Sequence, residues 1–198
     1  NKLVLIDDLH NQEFVADLII NHTPGITPAD YQAKPYTGFA LGLDYALLRP
    51  SFLKQAIEER RIENIKTLLI SFGGADPKGL TKKTLKVAIQ FSSFNKIIVV
   101  TGASFKDDYE LMRIIKQDSR VEYRHDLDEQ GMANSMSESD LAIVPASGLL
   151  YEALATGCNV ISGQYATNQT LVYENLKNKR LFRDAGSFNE VDLDNAIR

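Results

Sequence analysis

The chain holds 198 residues, 44% hydrophobic and 24% charged, enough to pack one full domain plus a piece of another and unlike a disordered chain. Its 22 basic and 26 acidic residues give a net charge of −4 without a basic stripe, which argues against a nucleic-acid polymer as partner. The single cysteine, Cys158, forbids an internal disulfide and suits a reducing cytoplasm, and no apolar run reaches membrane-spanning length.

The chain opens on an apolar strand, Leu3–Ile6, with no signal-peptide layout before it. So abrupt a start is the one expected of an excised fragment. A second short strand follows at Leu18–Ile20. Then comes a loop-rich stretch, Asn21–Gly42, that holds three of the six prolines. A helix is predicted over Phe52–Arg61. The boundary near residues 49–65 makes residues 1–50 the tail of a first domain with its connector, and residues 51–198 a nearly complete second domain.

From there the rhythm is regular. Strands are predicted at Thr67–Phe72, Lys96–Thr101, Val121–Tyr123, Asp140–Val144 and Asn159–Ser162. Helices are predicted at Thr81–Phe91, Tyr109–Lys116, Glu129–Ser137, Leu149–Thr156 and Gln169–Asn178. Leu68-Leu69-Ile70 and Ile97-Ile98-Val99-Val100 are continuously apolar, as strands buried on both faces are. The fold class is therefore α/β, a Rossmann-like parallel sheet flanked by helices.

Three strand-to-helix junctions carry the chemistry. After the strand ending at Phe72 comes Gly73-Gly74-Ala75-Asp76-Pro77. Paired glycines permit positive φ and close backbone approach, and free amides at such a turn or at the next helix start suit a phosphate. It is neither a Walker A loop nor G-x-G-x-x-G, and an ordinary tight βα turn explains it equally well. At the second junction Ser147 is placed to cap a helix, and Glu152 follows Gly148 by four residues on the same helix face. A carboxylate there suits the cis-diol of a ribose. Its bland alternative, a solvated helix glutamate, is weakened by the apolar residues around it. At the third junction Thr167 reads as a cap, and Asn168 and Gln169 as either exposed polar residues or amides facing a crevice. All three loops follow the carboxyl ends of strands, where open α/β sheets bind ligands.

Gly73-Gly74-Ala75-Asp76-Pro77, Met132…Met136, Ser139-Asp140-Leu141-Ala142-Ile143, Ala146-Ser147-Gly148, Glu152-Ala153 and Asn168-Gln169 occur in an order that resembles GT-B enzymes. The best likeness is to the UDP-sugar hydrolases of pseudaminic acid biosynthesis, with MurG-like N-acetylglucosaminyltransferases more distant. Ile6-Asp7-Asp8-Leu9, Asp17-Leu18-Ile19-Ile20-Asn21 and Tyr45-Ala46-Leu47-Leu48-Arg49-Pro50 extend the likeness into the first domain and favour the hydrolases.

The resemblance implies a GT-B C-terminal domain plus a remnant of the N-terminal one. UDP or a UDP-sugar is then the partner, and no cofactor or metal is expected. Gly73, Gly74 and Ala75 would approach the diphosphate, His125 would border the uracil, and Ser147 and Gly148 would donate to phosphate. Glu152 would hold the ribose, while Asn168 and Gln169 would sit near the sugar and diphosphate. Asp8, beside Asp7, would lie at the rim of the N-terminal half. The Gly-rich segment with a histidine that the resemblance implies as activator of water has no match here, so the catalytic residue is unknown and expected in an absent N-terminal segment. Of the three histidines, His10 reads as a loop residue, His22 as part of the connector and His125 as a neighbour of the base. Hydrolysis, transfer to an acceptor and a non-catalytic binding module remain the three readings, in that order; oligomeric state is open.

Overall fold

A computed structural model describes residues 1–56, 60–106 and 108–198. The chain begins with five short strands: β1 (Val4–Ile6), β2 (Glu13–Phe14), β3 (Leu18–Asn21), β4 (Gln32–Ala33) and β5 (Gly38–Leu41). The outer three pair in parallel as β1-β3-β5, and β2 pairs with β4. Thus the stretch expected to be loop, Asn21–Gly42, contributes two strands. Phe14, Ile19 and Tyr31 form their small core. Within it the Tyr31 hydroxyl accepts from Asn21 Nδ2 and donates to Asp7 Oδ2, both at 2.9 Å. Burial first and the Asp7 carboxylate next raise the Tyr31 phenol to about 12, against the opposing pull of the Asn21 hydrogen bond.

A connector leads to α1 (Pro50–Gln55). Arg49 and Pro50 stop and restart the chain as proline at a helix start does. The predicted helix over 52–61 runs partly through residues 57–59, which lie outside the described residues. Phe52, fully buried, anchors α1 under the larger unit.

The rest is a doubly wound sheet. In chain order its elements are β6 (Thr67–Ser71), α2 (Leu80–Ala88), β7 (Lys96–Thr101), α3 (Tyr109–Gln117), β8 (Val121–His125), α4 (Glu129–Ser137), β9 (Leu141–Pro145), α5 (Gly148–Ala155), β10 (Asn159–Gly163), α6 (Thr170–Asn178), β11 (Arg183–Asp184) and α7 (Glu190–Ile197). Every strand pair is parallel and the order is β11-β10-β9-β6-β7-β8. Counting from β6, that is the 3-2-1-4-5-6 order of a Rossmann sheet. Apolar runs work as they do because alternate side chains enter opposite cores. Leu68, Ile70, Ile97 and Val99 face α2, α3 and α7. Leu69, Ile98 and Val100 face α1, α4, α5 and α6. Cys158 lies buried in this second core. Among the described residues no helix is long and apolar enough to cross a membrane.

Candidate functional site

The sheet order reverses between β6 and β9. The chain leaves β6 toward α2 on one face and leaves β9 toward α5 on the other, which opens a crevice at their shared carboxyl end. That crevice has a volume of about 430 Å³ and is lined by Gly73 to Pro77, Ser147, Gly148, Glu152, Arg49 and Tyr165, among others. Six of the residues singled out from the sequence, Gly73, Gly74, Ala75, Ser147, Gly148 and Glu152, therefore share one cleft.

The first wall is the loop after β6. Gly73 turns it at φ +80°, where a Cβ would be strained. It also packs against the end of β7: a Cβ on Gly102 would lie 2.6 Å from the Gly74 Cα. Asp76, 7% exposed and at φ +41°, folds its carboxylate back on α2. Its oxygens accept from the Leu80 amide at 2.9 Å and the Thr81 amide at 2.7 Å. The expectation that the start of this helix offers amides to a phosphate is thus corrected: the protein's own carboxylate occupies them. What the loop leaves open are the Gly74 and Ala75 amides, which have no acceptor among the described residues.

The second wall is α5. Asp76, Asp108, Asp128 and Asn189 close the first turns of α2, α3, α4 and α7. Ser147 occupies the N-cap position of α5, but its side chain makes no capping bond. The Gly148 and Leu149 amides have no acceptor among the described residues. They stand at the positive end of the helix dipole, equivalent to about half a unit charge. A Cβ built on Gly148 meets nothing within 4 Å, so this residue faces open cleft. One turn on, the Glu152 side chain is only 12% exposed, and its Oε1 accepts from Arg49 Nε at 2.9 Å. It is not a solvated surface glutamate.

Beyond Ser147 and Gly148 lies a second basin of about 150 Å³ lined by Asp8, His22, Thr23, Tyr151, Asn168 and Gln169. Asn168, Gln169 and Asp8 thus come together, divided from the first basin by the α5 start. Gln169 is partly committed: its Oε1 accepts from the Tyr165 amide at 2.9 Å, while its NH₂ has no acceptor among the described residues.

His125 is where expectation and structure part. It sits at the end of β8, two strands away from β6, exposed, with Nδ1 3.0 Å from Thr101 Oγ1. It shares the sheet's carboxyl edge but does not line the crevice. His10 packs edge-on against Tyr31 in the small core, 6.0 Å between centroids, in keeping with a loop histidine. Asp7 is spent on the His10 amide and the Tyr31 hydroxyl, both at 2.9 Å.

Two residues of the site were not singled out in the sequence. Arg49 reaches Glu152 across 103 positions, a distance no local pattern reports. His22, set aside as connector, stands in the second basin against Tyr151, ring centroids 4.4 Å apart. Its Nδ1 accepts from the Leu47 amide at 3.2 Å, so the neutral ring carries its proton on Nε2. Desolvation lowers its pKa from the ordinary value, against an opposing pull from Asp8. In this arrangement it is a neutral N–H donor rather than a base.

No family model matches the chain. It is 29% identical over 167 residues to the spore coat polysaccharide biosynthesis protein SpsG of Bacillus subtilis, covering 81% of this chain and 48% of the relative. It is also 29% identical over 155 residues to the UDP-2,4-diacetamido-2,4,6-trideoxy-beta-L-altropyranose hydrolase of Campylobacter jejuni, covering 77% of this chain and 54% of the relative. The fold resembles the solved glycotransferase of kitacinnamycin with a TM-score of 0.62 at 16% identity, over 92% of this chain and 46% of that one. The chain spans about half the length of these proteins.

Proposed function

We propose that this chain holds the UDP part of a nucleotide-sugar, as part of an enzyme that hydrolyses a UDP-sugar to free sugar and UDP in surface-polysaccharide or pseudaminic acid biosynthesis. One observation carries the reading. Two sets of amides without an acceptor among the described residues, at Gly74–Ala75 and Gly148–Leu149, flank a crevice into which the half-buried Glu152 carboxylate projects one helical turn away. Amides at a helix start suit phosphate, and the carboxylate suits vicinal hydroxyls. The likeness to a polysaccharide biosynthesis protein and to a UDP-sugar hydrolase agrees with this.

In this reading water attacks the anomeric carbon, the bond from that carbon to the phosphate oxygen breaks, and UDP leaves with the electron pair. The α5 start would then stabilise the charge that develops on the departing phosphate. Asn168, Gln169 and Asp8 would meet the sugar in the second basin. Residues 1–50 serve as the tail of a first domain and its connector, and none of the groups named here is assigned as the base that activates the water. The single free Cys158 suits a reducing cytoplasm as the working compartment. Transfer to an acceptor hydroxyl is the second reading, because every group named here serves the donor alone.

Calorimetry of UDP, UMP and ADP against this chain tests the reading, with Glu152→Ala as control. UDP should bind more tightly than UMP, and the substitution should weaken UDP about tenfold or more, as loss of hydrogen bonds to a charged group does. Equal binding of UDP by both proteins would remove the carboxylate from the site.

A further inference from the structure

Arg49 has a position that its sequence context does not explain. It lies on the connector, yet its guanidinium lines the crevice. Two contacts fix it there. Nε donates to Glu152 Oε1 at 2.9 Å, and Cζ lies 4.9 Å from the centroid of the Phe52 ring, itself fully buried. Nη1 and Nη2 have no hydrogen-bond partner among the described residues, and the side chain is 46% exposed.

The charges around the crevice sharpen the question. Asp76 is spent on the α2 start, and Glu152 faces Arg49. Among the described residues lining the crevice, Arg49 is the one cation. The unpartnered amides supply only partial positive charge, whereas a nucleoside diphosphate brings about two to three full negative charges. A planar guanidinium whose Nε is already tied down presents its remaining two nitrogens as a fork, the geometry that takes phosphate oxygens in pairs. Holding it in place beforehand spares rotamer entropy on binding.

We infer that Arg49 is a diphosphate-binding residue: its Nη groups donate to phosphate oxygens of a nucleoside diphosphate while Nε stays on Glu152. Glu152 then has two tasks, Oε1 positioning the arginine and Oε2 receiving ribose hydroxyls. The connector, through Arg49, becomes part of the nucleotide site rather than a spacer between domains. This inference rests on the nucleotide reading above.

The experiment titrates the 198-residue chain with uridine, UMP and UDP, as wild type, Arg49→Gln and Arg49→Lys, with thermal melts of each. Arg49→Gln should weaken UDP by about tenfold or more, while uridine changes less than about twofold. Arg49→Lys, which keeps the charge and loses the fork, should fall between. The UDP affinity of wild type should also drop more steeply with added salt than that of Arg49→Gln. A purely structural ion pair would lower the melting temperature and weaken uridine and UDP equally, which would overturn the inference, as would unchanged UDP binding in both variants. If wild type binds no UDP at all, the nucleotide reading itself falls and takes the inference with it. If Arg49→Gln does not fold, Arg49→Lys decides: UDP binding equal to wild type there refutes the fork.

Discussion

Gly148→Ala separates the site from the fold. Gly148 is the first residue of α5, and a Cβ there meets no heavy atom within 4 Å. Alanine suits that helical backbone better than glycine, and the replacement typically stabilises by about 0.4–1 kcal/mol through the unfolded chain. For a chain of this size that corresponds to a rise of roughly 1–4 °C in Tm. The same methyl projects into the crevice beside the unpartnered Gly148 and Leu149 amides. Keeping a phosphate from one such amide removes a hydrogen bond to a charged group, worth about 1.5–3 kcal/mol. Affinity for UDP should then fall roughly tenfold to a hundredfold at 1.4 kcal/mol per decade. Differential scanning calorimetry and a UDP titration on the same samples read both quantities. A lower Tm with UDP affinity unchanged would show that the residue serves packing, and the reasoning about the α5 start would be wrong.

Asp76→Ala should cost about 2 kcal/mol in urea denaturation, because it uncaps α2 and puts alanine at positive φ. Asp76→Asn, which keeps an acceptor and tolerates that backbone, should recover part of it; equal loss in both would point to a need for charge alone. His22 links pH to stability. Its folded pKa lies below the ordinary 6.5 because burial disfavours the charged ring. The unfolded chain therefore takes up the proton first, so the stabilisation present above pH 6.5 is lost as pH falls below it. Thermal melts between pH 7.5 and about 5 should show this slope, and His22→Gln should flatten part of it; an unchanged slope would place the titration elsewhere.

The larger sheet was legible because its strands are buried on both faces, which leaves uninterrupted apolar runs such as Ile97 to Val100. Their ends shift by about a residue, since Pro145 and Gly163 belong to β9 and β10 although each reads as a turn residue. What escaped has physical causes. β2, β4 and β11 are two residues long, too short to show alternation, and β11 is an exposed Arg-Asp pair. α7 was missed although Asn189 caps it and Leu193 and Ala196 bury its inner face. The site was legible where it is local, at Gly73-Gly74 and from Ser147 to Glu152. It was not legible where it depends on strand order. Only the sheet order shows that the β9 loop neighbours the β6 loop while His125, on β8, stands at the far edge. Arg49, His22 and the Asp76 cap on α2 likewise require the folded chain, the first two because their partners are remote in sequence.

A ¹⁵N-labelled sample titrated with UDP brings the question to individual amides. If the crevice between β6 and β9 is the nucleotide seat, the largest and saturable shifts fall on Gly74, Ala75, Gly148 and Leu149, with Glu152 and its neighbours following. Shifts confined to other faces of the molecule, or none at millimolar UDP, would contradict the assignment of that crevice to a nucleotide.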